Sequence, residues 1–195
     1  VGTRIVSGAE LVANKIRGVI VPGQEGQMDL KLKTISKSGI GEAIAKAELY
    51  RYLNEPEEAE SICRDILAAD PQNMLGMRML GLSITDQFEG RPSDRYGEVE
   101  RIFDGLKDPY ERSYYTGLLC ERRVKAQLRA GRSPHTLLPL LEKAMQCFAQ
   151  AEKIRPAGND DAILRWNRCA RLLQSEPDFE SEEPASLEAW DSPPN

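Results

Sequence analysis

Histidine is nearly missing from this chain: His135 is the single one among 195 residues. Imidazole-based metal sites and triads with a histidine base would depend on that one side chain. Its place just after Ser133-Pro134 reads instead as a surface position at a helix start. The four cysteines, Cys63, Cys120, Cys147 and Cys169, form no C-x-x-C pair, and each falls within an apolar helical pattern. They read as reduced thiols packed as small hydrophobes, which favours a reducing compartment over a disulfide or metal role. A phosphate-cradling glycine loop, a G-x-S-x-G elbow and an H-E-x-x-H pair are all lacking. Nothing in the spacing of the 31 acids singles out a catalytic pair. No enzymatic activity, cofactor or metal is expected.

Long apolar runs are lacking as well. No window reaches the roughly 18 consecutive apolar residues of a spanning helix, and a membrane partner is not expected. With 41% hydrophobic and 29% charged residues, the composition is that of a water-soluble domain, placed in the cytoplasm. A wide basic field is also absent. The formal net charge is −5, yet residues 175–195 carry seven acids and neither Lys nor Arg. Removing those seven from the 31 acids leaves 24 against the 26 Lys and Arg of the body. A body so close to neutral argues against nucleic acid as a partner.

What is present falls into three parts: an N-terminal extension over 1–39, a helical domain over 40–174 and an acidic tail over 175–195. Residues 1–27 are rich in glycine, and Val19-Ile20-Val21-Pro22-Gly23 reads as an extended piece ending in a turn. Met28 begins a stretch that reads naturally as the start of a helical protein. Residues 1–27 are therefore expected to come from an upstream reading or another module and to contribute little to the fold. The tail is rich in Glu, Ser and Pro, a composition that cannot bury enough apolar area to fold. Phe179, Leu187 and Trp190 lie among its acids, so docking on a partner or into the chain's own groove is the functional alternative to a solubilising tail.

The middle part carries repeated helix signals. Ala43, Ala47 and Tyr50 recur at helical spacing up to Leu53. Pro56 sits where a first-turn proline is tolerated, and Ala59, Ile62, Cys63, Ile66 and Leu67 share one face before Asp70-Pro71 stops that helix. A third helix is marked by Met77, Leu80, Gly81 and Ile84. A loop with Gly90, Arg91 and Pro92 leads to a fourth, through Val99, Ile102, Phe103 and Leu106, closed by Asp108-Pro109. A fifth runs from about Tyr110 to Ala130 and ends at Gly131, suited to a left-handed cap. A sixth opens near Ser133-Pro134 with Leu138, Leu141, Ala144, Met145, Phe148 and Ala151 inward, its start pushed later by Pro139. A seventh spans Asp160 to Leu173.

The segment IGEAIAKAELYRYLNEPEEAESICRDILAADPQN resembles one tetratricopeptide repeat, a helix–turn–helix unit of about 34 residues. Ala47, Tyr50, Ala59 and Pro71 carry the match. Leu80-Gly81 restates the leucine–glycine pair of a next unit, and Ala144, Phe148, Ala151 and Pro156 reproduce the second-helix signature. The unit-ending prolines, 71, 109 and 156, are spaced unevenly, and the family's first-helix tryptophan is replaced by Ala43 and Met77. The resemblance spans about Ile40 to Leu173. It implies an all-α fold of antiparallel helix pairs stacked as a short right-handed superhelix, with the last helix as a cap.

It also implies a binding scaffold for a peptide or protein on the concave face of the first helices. The residues placed there are Glu48, Arg51 and Tyr52 in the first unit and Arg78 and Thr85 in the second. Tyr114, Glu121 and Lys125 follow in the third, with Asn167 and Arg171 on the last helix. Arg51, Arg78 and Arg171 together suit a carboxylate clamp. Some relatives in that family hold a partner's C-terminal carboxylates with Lys and Asn, but Ile44 and Glu48 occupy that stretch here. Tyr110, Tyr114 and Tyr115 with Arg112, Arg122, Arg123, Lys125, Arg129 and Arg132 offer a site for an acidic or phosphorylated ligand, but Arg122, Arg123, Lys125 and Arg129 read rather as complementing the negative end of a long helix. A homo-oligomer, or a regulatory module of a larger protein, is the alternative role.

Overall fold

The computed structural model describes residues 30–88, 94–176 and 179, and the chain divides into two compact units, 1–33 and 34–195. In the first unit, Leu30 to Lys33 carry neither helix nor strand, and Leu30 and Leu32 are exposed. The second unit begins at Thr34, ahead of the Ile40 start that the helical pattern predicts. Among the described residues every regular element is helical. The α-helices are α1 (Ile40–Tyr52), α2 (Pro56–Ala69), α3 (Met74–Asp86), α4 (Tyr96–Asp104), α5 (Pro109–Arg129), α6 (Leu138–Lys153) and α7 (Asp161–Ser175). None of the described helices is long and apolar enough to cross a membrane.

The sequence signals account for most boundaries. Asn54 takes a φ of 60° between α1 and α2, a left-handed conformation that asparagine tolerates. Pro56 then opens α2 with Glu57 and Glu58 in its first turn, favourable at the positive end of the helix dipole. The Asn73 side chain accepts the Gly76 N–H at 2.8 Å and caps α3. Asp108 does the same for α5, accepting the Tyr110 N–H at 2.8 Å. Asp108-Pro109 therefore opens a helix as much as it closes the preceding unit. Gly131 ends α5 at a φ of 80°, as its position predicts. Pro134–Leu137 form a 3-10 turn, so α6 starts only at Leu138, with Pro139 in its first turn.

Each helix packs on the next in sequence, and α1 also touches α3, as α5 touches α7. Short connections make such neighbours antiparallel. The small residues of the helical pattern lie at the contacts: Ala47, Ala59, Ala144 and Ala151 are fully buried. The same device occurs twice. Gly81 of α3 lies under the ring of Phe103 of α4, and Gly117 of α5 lies under the ring of Phe148 of α6. Both rings are fully buried.

All four thiols are free. Burial pushes Cys63 and Cys120 up to about 11 and Cys169 to about 12, which keeps them protonated and unreactive near neutrality. An ion-pair cluster ties α2 to the start of α4. Glu60 accepts from Arg95 at 2.7 and 2.9 Å, from Arg64 at 2.6 Å and from Gln87 at 2.7 Å. Foremost the Arg95 hydrogen bonds, and after them those of Gln87 and Arg64, outweigh burial and hold the Glu60 carboxyl down at about 2.

The acidic segment differs from its composition at one residue. Phe179 is 1% exposed and joins the principal hydrophobic cluster, its N–H donating to the Glu176 carbonyl at 3.1 Å. Phe179→Ala is expected to lower stability by about 1–2 kcal/mol in urea titration, less than for an internal ring because a chain end can let go. A variant as stable as the parent would show that the ring does not seat. The other expectations for the tail beyond Glu176, for residues 1–29 and for the Gly90-Arg91-Pro92 loop fall outside the described residues.

Candidate functional site

Helices α1, α3, α5 and α7 bring charged side chains into shared ion pairs. Asp86, the last residue of α3, accepts from Arg51 Nε of α1 at 2.7 Å and from Arg122 Nη1 of α5 at 2.5 Å, one on each carboxylate oxygen. The same Arg122 nitrogen donates to the Thr85 hydroxyl and to the Leu82 carbonyl. Burial lowers the Arg122 pKa from its ordinary value against the pull of Asp86, and a guanidinium remains charged regardless. Glu121 is fully buried. Lys125 Nζ donates to its Oε1, while Arg165 Nη1 of α7 lies 3.6 Å from Oε2, an oxygen with no hydrogen bond. Arg78 of α3 donates to Glu111 of α5 at 2.6 Å.

Two recesses flank this network. The first, of about 220 Å³, is lined by Thr85, Asp86, Phe88, Arg122, Lys125, Ala126, Arg129 and Arg165. Arg122, Lys125 and Arg129 are three and four residues apart, which sets them on one face of α5. The second, of about 450 Å³, is lined by Glu48, Arg51, Tyr52 and Met79. Arg51 lines the second recess and Asp86 the first, so their ion pair forms the partition between them. The Tyr52 ring is 90% exposed at this mouth.

Of the residues predicted to line a groove, Glu48, Arg51 and Tyr52 meet at the second recess and Thr85 and Lys125 at the first. Thr85 is buried, its hydroxyl donating to Leu82 O at 2.9 Å. Glu121 lies beneath the surface as an anchor for Lys125 rather than as a lining group. Tyr114 stacks at 5.8 Å on Tyr110 and packs against Phe148, so it belongs to the core. Arg51 and Arg78 each hold a carboxylate of the chain itself, and Arg78, Asn167 and Arg171 line neither recess. Asp86, Arg122, Arg129 and Arg165 are the residues that sequence reasoning did not place there. The common face of Arg122, Lys125 and Arg129 is the signal that pointed to the α5 pair, and none marked Asp86 or Arg165. Compared with family models, with curated proteins and with solved structures, the chain matches none.

Proposed function

We propose that this chain is a non-catalytic cytoplasmic scaffold that binds a peptide or protein segment along the face formed by α1, α3, α5 and α7. In this reading the three helix pairs stack in the tetratricopeptide manner and α7 caps the last pair. The observation that carries it is the convergence of polar side chains from alternate helices on two adjoining recesses. The repeated glycine-under-phenylalanine contact, Gly81 with Phe103 and Gly117 with Phe148, supports a stack of equivalent units. High thiol pKa values and a surface His135 bonded to Ser133 at 2.8 Å fit a role without catalysis.

Panning a random peptide library on the full chain tests the proposal. Enriched peptides are expected to shift the NMR signals of Arg51, Tyr52, Lys125 and Arg165 and leave those on the outer faces of α2, α4 and α6 in place. No enrichment, or shifts confined to those outer faces, would overturn it. A second reading, self-association, rests on Leu164 and Trp166, which α7 leaves 64% and 38% exposed. Light scattering that reports a constant monomer mass across concentration removes that alternative.

A further inference from the structure

Among the described residues, the first recess gathers more positive charge than the carboxylates beside it balance. Arg51, Arg122, Lys125, Arg129 and Arg165 stand on or beside it, against two carboxylates, Asp86 and Glu121. Each carboxylate is already shared by two cations. Arg129 has no ion pair or hydrogen bond among the described residues, and Arg165 reaches Glu121 only at 3.6 Å, beyond hydrogen-bond distance. Arg165 also makes a side-chain hydrogen bond with Tyr114, and the planar donors that the two guanidiniums leave unused suit carboxylate recognition.

Size and wall chemistry narrow the ligand. At about 220 Å³ the recess falls below the roughly 300–1,000 Å³ of sites that enclose a whole small molecule. It has room for one side chain. Phe88 and Ala126 add apolar wall among the cations, which matches methylenes ending in a carboxylate. Beyond the Arg51–Asp86 partition, Glu48 repels a second acid, whereas Tyr52 and Met79 favour an apolar residue.

We infer that the recess between α3, α5 and α7 takes a glutamate side chain of an acidic partner peptide, with a neighbouring apolar residue of that peptide against Tyr52 and Met79. The inference rests on the scaffold reading and adds the chemistry of the partner. Steering by the excess positive charge makes binding sensitive to salt.

Fluorescence anisotropy on the full chain decides it, with a fluorescein-labelled Glu-Leu-Glu-Glu peptide as probe and Gln-Leu-Gln-Gln as its neutral counterpart. The acidic probe is expected to bind at least about tenfold more tightly, the loss of one charge-assisted contact, and to weaken as salt rises. Arg129→Gln and Arg165→Gln are each expected to lower its affinity by about fivefold to tenfold. Lys153→Gln, at the end of α6 and outside both recesses, is expected to leave it unchanged, and circular dichroism checks that each variant is folded. Equal binding of the neutral peptide, unchanged affinity in both recess variants, or preference for a phosphoserine peptide over the glutamate one overturns the inference. Neutral library peptides that still map to the α1, α3, α5 and α7 face would leave the scaffold reading standing while the glutamate assignment falls. If no peptide binds at all, both fall.

Discussion

Gly81→Ala is expected to lower stability by about 2–3 kcal/mol, although alanine is the better helix former by about 1 kcal/mol. A methyl at Gly81 would stand 2.2 Å from Cε1 and 2.7 Å from Cζ of Phe103. That ring is fully buried, so α3 and α4 must separate to admit it. For a chain of this length the loss corresponds to a melting-temperature drop on the order of 5–10 °C. Gly41 and Gly97 are the internal controls, since a Cβ at either meets nothing within 4 Å. There the same substitution is expected to raise stability by a few tenths to about 1 kcal/mol. Phe103→Leu, which withdraws the ring, is expected to cost less in the Gly81→Ala background than alone. Should Gly81→Ala behave like Gly41→Ala, the close approach of α3 and α4 is wrong. The packing that holds the α3 face beside α5 would be wrong with it.

Both partners of that contact are legible in the sequence as inward positions of successive helices, Gly81 in a Leu-Gly pair and Phe103 on an apolar face, while their meeting comes from the geometry. The same holds for Ala47, Ala59, Ala144 and Ala151, whose spacing alone sets them on buried faces. Asp70-Pro71 and Asp108-Pro109 mark their limits. Because the dipeptide reads the same in both places, the cap that Asp108 provides to α5 emerges only from the geometry. The recess was far less legible. Asp86 meets Arg51 across 35 positions and Arg122 across 36, and helical periodicity carries no record of which distant charge faces which. Composition averages over a segment. It therefore characterises the stretch beyond Ser175 by its acids, and Phe179, noted there as a docking aromatic, gives no sequence sign that it seats in the principal core.

Glu121→Met is expected to cost about 2–4 kcal/mol, and the reason bears on what the recess is for. A buried carboxylate removed alone leaves its cations uncompensated, which is expensive. Replacing a charged pair together is often close to neutral. Lys125 and Arg165 would lose their shared partner beside Arg122 and Arg129, while both remain open enough to water to relax in part. The double substitution Glu121→Met with Lys125→Met is therefore expected to return to within about 1 kcal/mol of the parent. Deleting a base alone follows the opposite sign. Arg129→Gln, with no partner among the described residues to abandon, is expected to leave stability unchanged or to raise it by a few tenths of a kcal/mol by relieving repulsion. The asymmetry is the point: a site whose acids are needed for folding and whose surplus bases are not has cations in excess of structural need. Such an excess fits a surface that waits for an anion from outside, since local rules are relaxed where binding requires it. Urea titrations of the three variants at low salt measure it. If Arg129→Gln destabilises as much as Glu121→Met, the surplus charge is structural, and the case for an acidic partner loses its footing.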